Sequence, residues 1–118
     1  MELTFTNRSL AQLCNEEAEL LAFAGSEAEA LEQLLFEIEA ADVLASVEEL
    51  PYIRLLRVPV GRVAAHGADD AGVLLEPLTK PYRTAKAATV VAVAIGDQQF
   101  NPEGAAWPRA SAMSQIMR

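Results

Sequence analysis

The residues of this chain that could do chemistry are one imidazole and a small set of cations. His66, the only histidine, lies in "VPVGRVAAHGADD" four positions after Arg62. An imidazole titrates close to neutrality and can serve as a general base; the competing reading is an exposed histidine in a Gly/Ala loop. Further on, "TKPYRTAK" gathers Lys80, Tyr82, Arg83 and Lys86. Cations spaced around an aromatic ring can hold a phosphate backbone while the ring stacks on a base. The same string also reads as a solvated basic connection between strands that pairs with acidic residues elsewhere. Arg54 and Arg57 lie an odd number of residues apart in "YIRLLRV", so a strand sends them to opposite faces. Asp69 and Asp70 could be a metal pair only with further ligands at matching spacing, and they read as a turn. Cys14 is the only cysteine, which excludes a disulfide framework within the chain and a Cys-based metal cluster. No metal site and no cofactor is expected.

Set against these cations is a strongly acidic first half. Residues 1–50 carry twelve carboxylates and one base, Arg8, whereas residues 51–118 carry eight bases and five acids. The stretch "SEAEALEQLLFEIEAAD" alone has six carboxylates and no Lys or Arg. A nucleic-acid binder normally presents a basic face, and only the second half could supply one. The acidic half suits water or a basic partner, with Glu32, Glu37 and Glu39 as candidate partner-binding residues. Trp107, beside Pro108, is a candidate anchor for a partner or a residue of a tail folded back on its own domain.

The elements that must position these groups follow from hydrophobic spacing. Leu3–Phe5 can form a short edge strand. Leu10, Leu13, Cys14, Ala18 and Leu21 fall on one face of a helix, capped by Thr6 or Asn7 and ended by Gly25. A second helix follows, with Ala28, Leu31, Leu34, Leu35, Ile38 and Ala41 inward and a capping box at Ser26 and Glu29. The single link between the two predicts an antiparallel hairpin. A short third turn at "SVEEL" ends at Pro51. Beyond it come "YIRLLRVPV", a short strand plus a loop in "GRVAAHGADDAG", then "GVLLEP" and "TVVAVAI". The last is apolar on both sides, with Thr89, Val91, Val93 and Ile95 on one and Val90, Ala92 and Ala94 on the other, and belongs inside a sheet. The expected class is α+β: an N-terminal antiparallel helical hairpin packed on one face of a three- to four-stranded, largely antiparallel sheet. The expected organisation is one domain over residues 1–98 and a tail, partly helical, over 99–118. With 52% hydrophobic and 22% charged residues the chain should fold. Its longest apolar run is too short for a bilayer and no leader-like segment opens it, so the expected location is the cytoplasm, without membrane contact.

Four phrases, "LTFTNRSLAQLCNEE", "EIEAADVLASVEELP", "GVLLEP" and "ATVVAVAIGD", resemble in order and spacing the RelE/HigB-like proteins of toxin–antitoxin systems, in particular the plasmid-maintenance killer or killer-suppression branch. The resemblance covers residues 1–98. It implies an α+β fold with two helices against a twisted sheet, and an activity: metal-independent endoribonuclease cleavage of mRNA on the ribosome, silenced by a cognate antitoxin. There a basic or imidazole side chain helps remove the 2′-hydroxyl proton, and Arg and Lys stabilise the charge growing on the phosphate. Carried onto this chain, His66, Arg62 and Arg83 would be catalytic, and Lys80, Tyr82 and Lys86 would bind RNA. Three features depart from the family pattern. "VPVGRVAAHG" keeps Arg62 but few of the usual basic residues; Ala71 and Gly72 stand where a Tyr–Arg pair is usual; and the second helix is acidic instead of basic. Two readings follow: an mRNA interferase-type toxin with reduced or lost catalysis, or a non-catalytic acidic module that binds a basic, antitoxin-like protein or self-associates.

Overall fold

The computed structural model describes residues 1–58 and 60–107. Its elements are β1 (Glu2–Phe5), α1 (Arg8–Asn15), α2 (Glu17–Ala24), α3 (Ala28–Ala40), α4 (Leu44–Glu48), β2 (Arg54–Val58), β3 (Arg62–His66), β4 (Ala71–Pro77), β5 (Ala87–Ile95) and β6 (Gln98–Phe100). The fold is α+β, but the sheet has six strands where three or four were expected. Its order is β1-β5-β4-β3-β2. β1 runs parallel to the first half of β5 and β6 antiparallel to the second half, and all remaining pairs are antiparallel. β6 lies in a polar stretch that carries no alternation. No described helix is long and apolar enough to cross a membrane.

Asn7 caps α1, its Oδ1 accepting from the Leu10 amide at 2.8 Å. The single first helix predicted from spacing is instead two, broken at Glu16, whose backbone is extended. The break shifts the phase of the apolar stripe. Leu10 and Leu13 are buried as expected, but in α2 the buried residue is Leu20, while Ala18 and Leu21 face outward. Gly25 ends α2 with a positive φ of 59°, a conformation that a side chain would disfavour. The Ser26–Glu29 capping box does not form: a 3₁₀ turn (Gly25–Glu27) leads into α3 without a side-chain cap. α3 buries Ala28, Leu31, Leu34 and Ile38 against the sheet, with Leu35 and Ala41 at the margin.

The sheet is covered on both sides, which explains its apolar strands. On the helical side Val63, Ala65, Val73, Leu75, Val90, Val93 and Ile95 pack with α1 to α4. On the other side Val58, Ala64, Leu74, Val91, Ala92 and Ala94 pack with Trp107. The alternation expected along β5 fails at one point. Leu74 pairs with Ala92 and Leu75 with Val90, so a bulge leaves Val91 unpaired and places Val91 and Ala92 on one side. The small side of β5 consequently meets the segment after β6, through Ala105 and Trp107. The expected domain end at residue 98 has β6 and Trp107 beyond it, and residues 108–118, including most of the expected helical tail, lie outside the described residues.

Candidate functional site

The cations gather at one end of the sheet. The β2–β3 turn and the loop after β4 enclose a groove of about 570 Å³ lined by Arg57, Arg62, Lys80, Tyr82 and Arg83, with Gly61 and Pro81. Arg62 reaches it from β3, opposite Val58. The "TKPYRTAK" segment is bent back by a cis Lys80–Pro81 bond and a 3₁₀ turn at Tyr82–Thr84. Four of the six catalytic and RNA-binding candidates, Arg62, Lys80, Tyr82 and Arg83, therefore line one groove with Arg57, whereas Lys86 and His66 are absent from the lining.

Most of this charge is already engaged. Arg62 Nε donates to Glu76 Oε1 at 3.2 Å, and its Nη2 lies 3.6 Å from Glu103 Oε1. Glu48 of α4 holds two groove residues at once: Tyr82 Oη donates to its Oε1 at 3.1 Å, and Arg83 Nη1 donates to its Oε2. The Arg57 guanidinium sits over the Tyr82 ring, 5.5 Å from its centroid. Lys80 is exposed and makes no ion pair among the described residues. Lys86 is an exposed residue just before β5, beside the start of β1 through its carbonyl.

His66 is neither in the groove nor in an exposed loop, which corrects both sequence readings. It ends β3 on the side of the sheet away from the helices, 9% exposed. Trp107 covers it, ring centroids 6.1 Å apart. Neither imidazole nitrogen has a hydrogen-bond partner among the described residues. Burial, and to a lesser degree the charge of Arg54, lower its pKa below the ordinary 6.5 against an opposing pull from Asp70. Four residues of strand, about 13 Å of backbone, separate it from Arg62, and it does not line the groove that Arg62 lines. Arg54 faces His66 across the β2–β3 ladder while Arg57 faces Val63, on the opposite side, as their spacing required. Asp69 and Asp70 occupy the predicted turn, both at positive φ. No group of three or more His, Cys, Asp or Glu that could hold a metal occurs among the described residues.

The acidic candidates divide between two sides of α3: Glu32 and Glu39 line a hollow with Phe36, and Glu37 lines another with Tyr52. Glu32 and Glu39 are exposed on the outer side of α3. Glu37 is half-buried and accepts from Gln33 Nε2 at 2.7 Å and from Tyr52 Oη at 3.0 Å. Phe36, between Glu32 and Glu39, is 61% exposed. Glu29, Glu37 and Asp69 rim a second hollow of about 300 Å³, over Leu34 and Ile53. Trp107, read either as an anchor for a partner or as part of a tail folded back on its own domain, is 8% exposed against its own sheet, as the second reading has it. The carboxylates Glu48, Glu76 and Glu103, which hold groove residues without lining the groove, were missed. Their signal was available only as an excess of acids with no motif of their own.

Comparison of the chain with protein-family models, with curated proteins and with solved structures finds no match in any of the three.

Proposed function

We propose that this chain is a catalytically silent relative of the RelE/HigB-like toxins that works as a protein-interaction module, its acidic helical side receiving a basic, antitoxin-like partner. The observation that carries this reading is the separation of the only imidazole from the cationic groove. A ribonuclease that makes its 2′-hydroxyl attack needs a base and charge stabilisers around one phosphate. Here the base is under an indole and the stabilisers are bound to carboxylates of the same chain. The exposed Phe36 between Glu32 and Glu39 supports the binding side, since an apolar anchor with a charged rim is the usual anatomy of a protein interface.

One observation favours a second reading, an mRNA interferase with weak catalysis: Arg57, Arg62, Lys80, Tyr82 and Arg83 line one groove. Inducible expression in a bacterial host separates the two. The module predicts normal growth at high expression and a copurified basic protein that dissociates as salt rises. Growth arrest relieved by Arg83→Ala, with cleaved mRNA in the arrested cells, would establish the interferase instead.

A further inference from the structure

Beyond β6, residues 101–107 run as a strap across the side of the sheet that none of the described helices covers. Its hydrogen bonds close on themselves. Asn101 Nδ2 donates to the Ala105 carbonyl at 2.9 Å, the Ala105 amide donates to Asn101 Oδ1 at 3.0 Å, and the Gly104 amide donates to the Asn101 carbonyl at 3.1 Å. What fastens the strap to the sheet is side-chain chemistry at two points. Glu103 lies on Arg62, and the Trp107 indole fills a notch between His66 and Gly72. The notch exists because Gly72 has no side chain: a Cβ there would lie 2.7 Å from Trp107 Cζ2 and 3.1 Å from His66 Nδ1. Its surroundings, Ala64, Ala92 and Ala94, are equally small. The seat is imperfect. His66 Nδ1 and Nε2 and Trp107 Nε1 are buried without a partner among the described residues, a condition that folded proteins keep rare because each such atom loses its hydration.

We propose that this side of the sheet is a peptide-docking site, held in cis by the chain's own "NPEGAAW" and built to take an equivalent segment of a partner protein: a carboxylate followed four residues later by an aromatic ring. The spacing selects the ligand class. Arg62 and His66 are four strand residues apart, about 13 Å, and Glu103 and Trp107 are four residues apart in the strap. A mononucleotide, whose phosphate is one sugar away from its base, does not reach both points. An extended peptide does. A partner segment that also offers an acceptor or donor to His66 gains what the strap leaves unmade. This site is on the opposite side of the sheet from the acidic helices and does not depend on the function proposed for them.

The chain has one tryptophan, so the full-length Trp107→Ala variant is silent in the indole channel and a synthetic NPEGAAW peptide supplies the only such signal. The expected result is saturable binding with a blue-shifted emission. Affinity should fall about fivefold when the peptide's Glu becomes Gln, as for a partly exposed ion pair. Binding should be lost when Gly72→Val is added to the protein. Trp107→Phe keeps a ring in the notch and serves if the alanine variant does not fold; there the same peptide should still give a saturable blue shift, but only in large excess, since it must displace the strap. Absence of any blue shift on a cooperatively folded variant overturns the proposal, as does binding indifferent to Gly72→Val. Two other results also overturn it: displacement of the bound peptide by a short single-stranded RNA, which makes the site a nucleic-acid site, and a wild-type dimer that Trp107→Ala abolishes, which makes the occupant a second copy.

Discussion

Trp107 occupies the space that a side chain on Gly72 would need, its Cζ2 2.7 Å from the position of a Cβ there. Gly72 has no positive φ, so its backbone would accept alanine and the conflict is purely steric. Gly72→Ala should lower stability by about 1–3 kcal/mol, the usual cost of overpacking a closed site. It should also shift the emission of the single tryptophan to the red as the ring is pushed out. Chemical denaturation followed by tryptophan emission, with circular dichroism as the second probe, measures both. Unchanged emission with lowered stability would mean that the sheet yields and the strap stays.

His66 gives a pH dependence of known sign. Its pKa is lowered in the folded chain by burial and by Arg54, from an unfolded value of 6.5. Below 6.5 the unfolded chain takes up a proton that the folded chain declines. The folded state is therefore at full strength above 6.5 and weakens as pH falls through that value toward the folded pKa, by at most about 1.4 kcal/mol per pH unit. Denaturation midpoints for wild type and His66→Gln across about pH 5 to 7 should diverge, the variant keeping the flatter profile.

The parts of this picture that the sequence made legible are those carried by a single strong signal. β5 is apolar on both sides and is central; Asn7 is a capping residue before an apolar stripe and caps α1. What the sequence concealed has physical causes. Val91 and Ala92 are both apolar, so nothing in their chemistry marks the bulge that puts them on one side. Glu16 and Glu17 are good helix formers, and the break between α1 and α2 reflects a tertiary demand, the turning of Leu20 into the core. Trp107 follows Gly and Ala residues with no periodicity, so its burial depends on a notch formed by Gly72, which is distant in sequence. Arg62 was found as a cation. Its neutralisation was not, because Glu76 and Glu103 reach it only through the register of β3 with β4 and the path of the strap.

Cys14 tests the packing of α1 against the sheet. Burial pushes its thiol pKa up to about 12 from 9.0, which leaves on the order of a thousandfold less thiolate than an unperturbed cysteine has at pH 8. A disulfide reagent should react with native protein at the rate of global or local opening and with denatured protein at once. Because the chain has no other cysteine, the stoichiometry is one. Fast reaction of native protein would show that α1 opens independently of the rest of the fold.

Glu48 controls the groove from outside it. Its carboxylate takes the Tyr82 hydroxyl on one oxygen and Arg83 on the other, and Tyr82 in turn supports Arg57. Arg83 is more than half exposed, so the ion pair contributes little by itself. The half-buried hydrogen bond to Tyr82 contributes about 1 kcal/mol. Glu48→Ala should therefore cost about 1 kcal/mol in stability while releasing one cation into a groove that already holds exposed Lys80. If self-neutralisation is what keeps the groove silent, this variant should bind a short single-stranded RNA more tightly than wild type, by about two- to tenfold at low salt, with the gain disappearing as salt is raised. Addition of Glu103→Gln, which removes one of the two carboxylates on Arg62 and leaves Glu76 in place, should increase the effect slightly further. Equal RNA affinity in wild type and the double variant would show that the groove lacks the geometry for a phosphate backbone, whatever its charge.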